Sequence, residues 1–380
     1  MSWAREEFKG LELGDGRRTH RLIKLMDDLS AQPTGSIPQA CGGWPETKAA
    51  YRLLDNPAVE WREILDVHTQ RTVERMVGQP VMLCIQDTTE LDFTTQPGIA
   101  GLGRLSYEAQ HGMYVHPTLA VTPAGVALGV LDAWMWARKP KDQPDIKEST
   151  RWVEGYETVA DLAETVPATR LVYVADREGD LRALIAAAAR RGKPADWLIR
   201  SKHNRKTTTG EKLWARLAQS DPLGEVEFTL PAAPDRPARL VRQTLYRTVV
   251  TRPAHHGHPA VTVTAILARE EQPPAGEQAI EWRLLTNRTA NTLEAVVELI
   301  DWYRKRWLIE LFFRIWKSGC RVESLQLGTL ERLERALVLY PALLRFLIIY
   351  WIITQFLKYL EVSACLATSS SGLSRTDRSQ

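Results

Sequence analysis

Two aspartates occupy positions where this sequence pattern would place metal-binding groups. Asp87 directly follows the apolar run VMLCIQ at 81–86, and Asp176 follows RLVYVA at 170–175. Such runs are typical of buried central strands, and ligands bind at the carboxyl ends of strands in open α/β sheets. Two carboxylates brought together there repel each other unless a cation lies between them, and Mg²⁺ prefers oxygen ligands. The pattern predicts a divalent-metal site, for which neighbouring carboxylates stay open as alternatives: Glu90, Asp92, Glu178 and Asp180.

A third carboxylate, Glu310, lies in a segment with helical periodicity, DWYRKRWLIELFFRIWKSG at 301–319. At about 100° per residue, a stripe of roughly 60° contains four polar side chains: Tyr303, Arg306, Glu310 and Lys317. Most other directions carry apolar residues, which predicts a buried helix whose polar stripe faces a cavity or a ligand. The alternative is a structural salt bridge of Glu310 with Arg306 or Arg314.

Together, the two aspartates and Glu310 predict a two-metal site for phosphoryl transfer. One ion would activate the nucleophile, first water and then a 3′-hydroxyl, and the other would stabilise the leaving oxygen. The expected ion is Mg²⁺, with Mn²⁺ as a substitute. The histidines at 255, 256 and 258 lie among Pro and Gly residues and are interpreted as a loop cluster.

Local rather than overall charge indicates a polyanionic partner. The formal net charge is only +3, but residues 190–216 contain nine Lys or Arg against two acidic residues. Clusters of this kind neutralise DNA phosphates, although a solvated helix face gives the same composition. The first cluster includes Arg200, Lys202 and Arg205, and a second contains Arg17, Arg18, His20, Arg21 and Lys24.

The cysteines and the apolar segments predict a cytoplasmic protein. Cys41, Cys84, Cys320 and Cys365 are far apart, which argues against a zinc module or a disulfide framework. The first residues, MSWAREEFKG, lack the apolar core of a signal peptide. The run Leu337–Ile353 is apolar enough to resemble a membrane span, but Arg345 and Pro341 favour a buried helix.

The elements that must position these residues divide the chain into six predicted parts. Residues 1–75 have helical periodicity, with a cap predicted at Asp15. Strand-like and helical runs alternate through 76–205 in an order that suits a mixed α/β sheet, with a strand break at Pro117. The remaining parts are an all-β insertion at 206–286, a long helix from Leu293 to Lys317 within 287–330, a C-terminal helical region at 331–366 and a disordered tail at 367–380.

The pattern Tyr303-x2-Arg306-x3-Glu310-x6-Lys317 resembles the Tyr-Arg-Glu-Lys signature of the DDE transposases of insertion-sequence family four, a group that includes the transposase of transposon five. Further stretches are similar and occur in matching order: LGDGRRTHRL (13–22), AAYRLLDNP (49–57), IQDTTELDF (85–93), ADREGDL (175–181), IRSKHNRK (199–206) and PPAGEQAIEWRLLT (273–286). The resemblance extends from about residue 10 to about residue 335. Beyond LERALVLY at 333–340 the sequence departs from the family pattern, in the region that family members use to pair subunits.

This resemblance implies a ribonuclease-H-like, retroviral-integrase-like catalytic core that is interrupted by the β insertion and preceded by a helical N-terminal DNA-binding domain. It implies that Asp87, Asp176 and Glu310 are the metal-binding catalytic triad. The DNA contacts that it implies are phosphate contacts at Tyr303, Arg306 and Lys317, recognition of the element's ends by Arg17, Arg18 and Arg21, and a flipped base on Trp282. For Trp282 a place in the core is the alternative.

The predicted function is cut-and-paste DNA transposition, with hydrolysis at the inverted-repeat ends, hairpin formation and strand transfer into target DNA. The predicted partners are double-stranded DNA and a second copy of the chain, in the nucleoid of a bacterial cytoplasm and without a membrane. Two alternatives stay open: a related two-metal DNA nuclease without strand transfer, and a non-catalytic DNA-binding inhibitor of transposition. The complete triad argues against the inhibitor, which has no need of it.

Overall fold

A sheet of eleven strands runs through the computed structural model, which describes residues 2–230, 237–345, 347 and 348. The strands are β1 (Val81–Gln86), β2 (Thr89–Asp92), β3 (Gly103–Arg104), β4 (His111–Val121), β5 (Ala127–Trp136), β6 (Arg170–Ala175), β7 (Asp196–Arg200), β8 (Pro222–Leu230), β9 (Arg239–Arg252), β10 (Val261–Arg269) and β11 (Glu281–Thr286). Most of them follow the order β2-β4-β1-β6-β7-β11-β10-β9-β8, and β3 and β5 also pair with β4. The predicted mixed α/β fold is confirmed, and its sheet is large.

The centre of the sheet is parallel and buried, and this arrangement positions the two candidate aspartates. β1 pairs in parallel with β6, and β6 in parallel with β7. Gln86 lies opposite Ala175 in this register, so Asp87 and Asp176 are the next residues along two neighbouring strands. Side chains of β1 and β6 alternate between two apolar layers, as expected for strands that are buried on both faces.

Helices supply the layers on the two faces. They are α1 (Trp3–Glu7), α2 (Gly16–Ala31), α3 (Ile37–Cys41), α4 (Trp44–Leu54), α5 (Trp61–Met76), α6 (Thr150–Thr165), α7 (Arg182–Arg190), α8 (Leu213–Ala218), α9 (Leu293–Lys305), α10 (Trp307–Arg314) and α11 (Leu330–Leu337). α6 and α7 pack on one face of β1 and β6. The other face belongs to the layer that contains α9, α10 and apolar residues of the N-terminal helices.

The N-terminal region is helical, as its periodicity predicts. The Asp15 side chain accepts a hydrogen bond from the Arg17 N–H at 2.9 Å and caps α2. The apolar residues of α2 that recur on one face are buried: Leu22, Leu25, Met26 and Leu29. Ser36 and Gln39 form a reciprocal capping box at the start of α3. Local sequence signals therefore determine where these helices begin.

The strand break predicted at Pro117 does not occur. β4 continues through Pro117, which lies opposite Ala133 of β5. On its other edge, β4 pairs first with β2 and then with β1, and Pro117 lies at the gap between them. A residue without an N–H is tolerated there because no neighbouring strand requires a donor. Asp87 and Thr88 are the residues of the chain that cross this gap.

The stretch predicted as an all-β insertion extends the same sheet. β11 pairs antiparallel with β7, and β10, β9 and β8 follow outwards. The prediction is wrong in one respect, because α8 also lies in this stretch, with Leu213 and Leu217 buried. Six residues are too few for helical periodicity to stand out from the surrounding strand pattern.

The described part of the apolar C-terminal segment contacts α1 near the N-terminus of the chain. Residues 340–345 are helical, and Arg345 Nη2 lies 3.5 Å from Glu7 Oε2 of α1. Among the helices of residues 2–230, 237–345, 347 and 348, none combines the length and apolar character needed to cross a membrane. Residues 346 and 349–353 of the run Leu337–Ile353 lie outside the described residues, as do the rest of the predicted helical region to 366, with Cys365, and the predicted tail at 367–380.

Candidate active site at the ends of two parallel strands

Asp87 and Asp176 lie at the carboxyl ends of β1 and β6 and interact electrostatically. Asp87 Oδ1 accepts a hydrogen bond from the Thr88 N–H at 2.8 Å, and Asp176 Oδ1 accepts one from the Glu178 N–H at 2.7 Å. Burial, and next the charge of Asp176, raises the pKa of Asp87 to about 7, although Arg306 opposes this shift. The charge of Asp176 therefore disfavours the charged form of Asp87, and a cation held between the two side chains would relieve this repulsion.

The chemistry of this pair fits a hard divalent cation. Mg²⁺ usually takes one or two protein carboxylates, with water and phosphate oxygens completing its coordination. Within the part of the chain that the structure describes, however, no three His, Cys, Asp or Glu side chains converge closely enough to form a metal cage. The pair Asp87 and Asp176 is therefore the centre of the candidate site, and Glu310 joins it through Arg306.

Arg306 links the helical part of the site to the sheet. Its Nη1 donates to Asp87 Oδ2 at 2.7 Å, and its Nη2 donates to Glu310 Oε1 at 3.2 Å. Both Arg306 and Asp87 are largely buried, with side chains about 15% exposed. The salt bridge between Arg306 and Glu310 that the sequence left open is present, and it forms part of the candidate site.

The helix that carries Glu310 is interrupted twice. α9 ends at Lys305, α10 begins at Trp307, and Ile315–Gly319 forms a π-helical turn. The single α-helix predicted from Leu293 to Lys317 is wrong in this respect. A turn with i→i+5 bonding rotates every later side chain away from its α-helical direction, which sequence spacing alone does not indicate.

Lys317 lies in the π-helical turn and pairs with a residue outside the predicted stripe. Its Nζ is 3.8 Å from Glu323 Oε1, and Glu323 also accepts the Asp92 N–H at 2.9 Å. The structure thus brings Tyr303, Arg306 and Glu310 towards the aspartates, whereas it joins Lys317 to the segment that follows α10.

One face of α10 is exposed, although the sequence predicts a helix buried on nearly all sides. Trp307 is 70% exposed, and Leu308 and Leu311 are partly exposed. Ile315 is also partly exposed, and the buried face contains Ile309, Phe312, Phe313 and Trp316. The prediction is wrong because apolar content alone does not distinguish a core position from an apolar surface beside a ligand site.

Tyr303 and Trp282 form an aromatic wall beside Arg306. Burial raises the pKa of Tyr303, and the charges of Arg306 and Arg200 oppose this shift. Trp282 of β11 stacks on Phe228 with ring centroids 5.7 Å apart, and its centroid lies 6.3 Å from that of Tyr303. Trp282 is partly exposed, but Phe228 already covers one face of its indole.

The three basic residues predicted to contact DNA at the end of β7 and just after it have different surroundings. Lys202 is exposed, whereas Arg200 and Arg205 are partly buried. Arg200 Nη2 donates to the Glu281 carbonyl at 3.2 Å, and Arg205 Nη2 donates to the Asp180 carbonyl at 2.8 Å. Exposure alone makes Lys202 the best placed of the three to reach a ligand in solvent.

The four alternative carboxylates have partners elsewhere or lie at the surface. Asp180 is buried, and its side chain accepts the N–H groups of Lys202 and His203, so it holds the loop after β7. Glu90 bonds to Ser106, and the Asp92 side chain bonds to Thr94 and Gln110. Glu178 is exposed next to Asp176. Asp87 and Asp176 remain the pair that the two strand ends bring together.

The basic residues of α2 lie at the protein surface. Arg17 and Arg21 are exposed, and Arg17 pairs with Asp15 at 2.8 Å. Arg18 is partly buried, and its Nη1 donates to the Leu13 carbonyl at 2.9 Å. These contacts leave Arg21 and the outer face of Arg17 available to a partner.

Sequence reasoning missed an exposed stripe on α4. Trp44 is 73% exposed at the start of this helix, and Lys48 and Arg52 are exposed at successive intervals of four residues. The signal was present, since an aromatic residue followed by basic residues at this spacing covers one helix face. An indole and two cations on one face form a surface that suits nucleic acid.

Comparison with known proteins gives two matches to family models. The model described as "Transposase DNA-binding" matches residues 1–59, and the model described as "Transposase DDE domain" matches residues 151–347. The first range contains α1–α4, and the second contains Asp176, Tyr303, Arg306 and Glu310. Asp87 lies between the two matched ranges.

Among solved structures, the chain matches a cryo-EM structure of the piggyBac transposase synaptic complex with hairpin DNA. The sequence identity is 10% and the TM-score is 0.44. The match covers 87% of this chain and 65% of the other, so the chain spans less than two thirds of that protein's length.

Proposed function

Since the chain belongs to the transposase DDE domain family, we propose that it is a DNA transposase that cuts and rejoins DNA with divalent metal ions at Asp87, Asp176 and Glu310. The observation that carries this proposal is the position of the two aspartates, one residue beyond the last paired residues of neighbouring parallel strands. The electrostatic coupling of Asp87 to Asp176 supports a cation between them. Mg²⁺ is the expected ion, with Mn²⁺ as a substitute.

In this mechanism the carboxylates hold the ions, and the cationic side chains hold the DNA. Bound ions would supply an activated water or 3′-hydroxyl and would stabilise the leaving oxygen. Asp87 and Asp176 provide ligands from the sheet, and Glu310 provides one from α10. Arg306 already contacts Asp87 and Glu310, so it is placed to exchange one of these partners for a DNA phosphate. Tyr303 and Lys317 are the other proposed phosphate contacts.

Within the mixed α/β fold, we propose a ribonuclease-H-like core that begins with β1 and ends with the helix carrying Glu310. The parallel order of β1, β6 and β7, with β4 antiparallel beside β1 and with α6 and α7 on one face, supports it. We propose 76–205 and 287–330 as the two parts of this core, 206–286 as its insertion and 331–345 as the described part of a C-terminal helical region. The Tyr-Arg-Glu-Lys spacing supports membership of insertion-sequence family four.

The proposed DNA substrate is the pair of inverted-repeat ends and a target duplex, in a bacterial nucleoid. Residues 1–75 would recognise the ends, and the match of 1–59 to a transposase DNA-binding model supports this role. Arg17, Arg18 and Arg21 are the proposed contacts there, together with the exposed stripe on α4. Synapsis of two ends would need two copies of the chain. Trp282 would receive the flipped base of a hairpin intermediate on the face that Phe228 leaves open.

The proposal is tested with a plasmid that carries the coding region and its native flanking DNA, incubated with the full chain and Mg²⁺. Cleavage at the flanks followed by joining to a second plasmid supports a transposase. Cleavage without joining would instead identify a nuclease, and specific binding without cleavage would identify an inhibitor. The Asp87→Asn variant is the control for contaminating nucleases, because it keeps the side-chain volume but removes the charge.

A further inference from the structure

A buried polar layer lies behind the two aspartates, on the opposite face of the sheet. Gln86 directly precedes Asp87, and Tyr173 lies three residues before Asp176; neither is exposed to solvent. Tyr173 belongs to the layer covered by α6 and α7, whereas Val174 belongs to the opposite layer. Because side chains alternate along a strand, the aspartates point away from the layer that contains Gln86 and Tyr173.

The side chains of Gln86 and Tyr173 join β1 to β6. The Tyr173 hydroxyl donates to Gln86 Oε1 and lies 3.2 Å from the Trp152 carbonyl of α6. Gln86 Nε2 donates to Thr118 Oγ1 of β4 at 3.0 Å. Side chains therefore tie three adjacent strands together at the level where β1 ends.

Gly155 shows how closely α6 packs on this layer. A Cβ atom at Gly155 would lie 1.9 Å from Gln86 Nε2, so a larger residue would displace the Gln86 amide. The amide is enclosed by Tyr173, Thr118 and the backbone of α6. A side chain confined on all sides is suited to hold a fixed distance between strands.

Thr88, the residue after Asp87, makes a further side-chain contact, with the buried His116. Thr88 Oγ1 and His116 Nδ1 are 2.7 Å apart, and the His116 ring packs edge-on against Trp152 with ring centroids 4.7 Å apart. The segment that carries Asp87 is therefore held on both sides, by Gln86 before it and by Thr88 after it.

We infer that Gln86, Tyr173 and Thr118 are positioning residues that fix the separation of Asp87 and Asp176 for divalent-metal binding. This inference rests on the proposed function. The pairing of β1 with β6 ends at Gln86 and Ala175, and element ends open locally more easily than their centres. The hydrogen bond between Tyr173 and Gln86 holds the two strand ends together, so that repulsion between the carboxylates does not separate them.

Tyr156 provides a matched control for Tyr173. Both are fully buried in the same layer, with their rings edge to face and centroids 5.7 Å apart. The Tyr156 hydroxyl donates to the Ala195 carbonyl at 3.0 Å, away from Gln86. Loss of either hydroxyl leaves a buried acceptor without its partner and should cost similar stability. Only the loss at Tyr173 breaks the link between the two strands.

The test titrates the full chain with Mn²⁺ alone and measures free Mn²⁺ by electron paramagnetic resonance, alongside thermal unfolding. The variants are Tyr173→Phe, Tyr156→Phe, Thr118→Val and Asp87→Asn. Removing groups that orient metal ligands commonly weakens binding 10–100-fold, so we expect Tyr173→Phe to weaken Mn²⁺ binding about tenfold and Tyr156→Phe to change it less than about twofold. Both Tyr→Phe variants should lower the Tm by similar amounts. Thr118→Val should weaken Mn²⁺ binding in the same direction as Tyr173→Phe, and it carries the test if Tyr173→Phe does not fold.

Two outcomes overturn the inference, and they are distinguishable. If the unmodified chain binds Mn²⁺ more tightly than Asp87→Asn, but Tyr173→Phe and Thr118→Val bind as tightly as Tyr156→Phe, only the positioning role fails. If the unmodified chain binds Mn²⁺ no better than Asp87→Asn, the proposed metal site itself fails, and the positioning role fails with it.

Discussion

The guanidinium of Arg306 bridges Asp87 and Glu310, with Nη1 2.7 Å from Asp87 Oδ2 and Nη2 3.2 Å from Glu310 Oε1. Asp87 follows a central strand and Glu310 lies on α10, so this bridge connects the sheet to the helix across the candidate site. It also places one positive charge among the acidic residues of the site. Substitution of Glu310 and substitution of Arg306 should therefore affect DNA cleavage and DNA binding differently.

Replacement of Glu310 by Gln should abolish DNA cleavage and leave DNA binding largely intact. The change removes a proposed metal ligand but keeps the size of the side chain, and Arg306 retains its contact with Asp87. The free energy of unfolding should change by less than about 0.5 kcal/mol, because Glu310 is partly exposed. Cleavage of the flanking-DNA plasmid and a gel-shift titration measure the two effects.

The matched control for this change is Glu298→Gln on α9. Glu298 is exposed and pairs with Arg288 at 3.8 Å, outside the candidate site. This variant should cleave DNA normally. If Glu310→Gln cleaves as well as Glu298→Gln, Glu310 is not a metal ligand.

Replacement of Arg306 by Ala should weaken DNA binding and flatten its dependence on salt. Each phosphate contact contributes about −0.9 to the slope of log K against log salt concentration, so the slope should become shallower by about 1. Binding measured between low and moderate salt gives this slope. Arg170→Ala is the control, because Arg170 pairs with Asp196 at the start of β6, at the opposite end of that strand from Asp176. Equal slopes for the two variants would show that Arg306 does not contact a phosphate.

Substitutions at Lys202 and Arg205 should have different effects. The first should lower DNA affinity, and the second should lower the stability of the chain. Lys202 is exposed, so Lys202→Ala should weaken DNA binding and leave the free energy of unfolding within about 0.5 kcal/mol of the unmodified chain. Arg205 contacts the carbonyl and carboxylate of buried Asp180, so Arg205→Ala should destabilise the chain by about 1–3 kcal/mol. Denaturant unfolding and gel shifts distinguish the two, and the reverse pattern would refute this assignment.

The sequence predicts that Asp87 and Asp176 lie close together because the signal for each residue is in its immediate neighbours. Each residue follows a short apolar run, and parallel strands bring their carboxyl ends to one edge. The closeness of Arg306 and Glu310 is local in the same way, since they are four residues apart near the start of α10. The catalytic roles of these residues stay predictions.

The parts of the fold that sequence reasoning misses depend on contacts between distant segments. The pairing of β11 with β7 joins two stretches that are far apart in the chain. The residue pattern of a strand does not indicate which edge of the sheet that strand will extend. Pro117 is accommodated because β4 exchanges one partner strand for another at that point. The π-helical turn Ile315–Gly319 changes the direction of the Lys317 side chain, but the apolar pattern of the sequence does not indicate this turn.

Glu7 provides a stability prediction with a defined pH dependence. It is buried in α1 and accepts hydrogen bonds from His68 Nδ1 at 2.7 Å and from Arg75 Nη1 at 2.8 Å. The Val130 N–H donates to His68 Nε2, so His68 is neutral and its Nδ1 carries the proton. Burial alone would raise the pKa of Glu7, but the bonds from His68 and Arg75 outweigh it and lower the pKa to about 2.

A carboxylate whose pKa is lowered by folding stabilises the folded state above its unfolded pKa of 4.5 and loses this contribution as the pH falls towards 2. Glu7→Gln should therefore destabilise the chain by about 2–3 kcal/mol at pH 7, because it removes the charge with which the partly buried Arg75 pairs. The difference from the unmodified chain should shrink as the pH falls below 4.5. Glu6→Gln, on the exposed side of α1, should have almost no effect at any pH. Urea unfolding of the three proteins at several pH values measures these differences, and a Glu7→Gln effect that does not vary with pH would show that Glu7 acts through packing rather than charge.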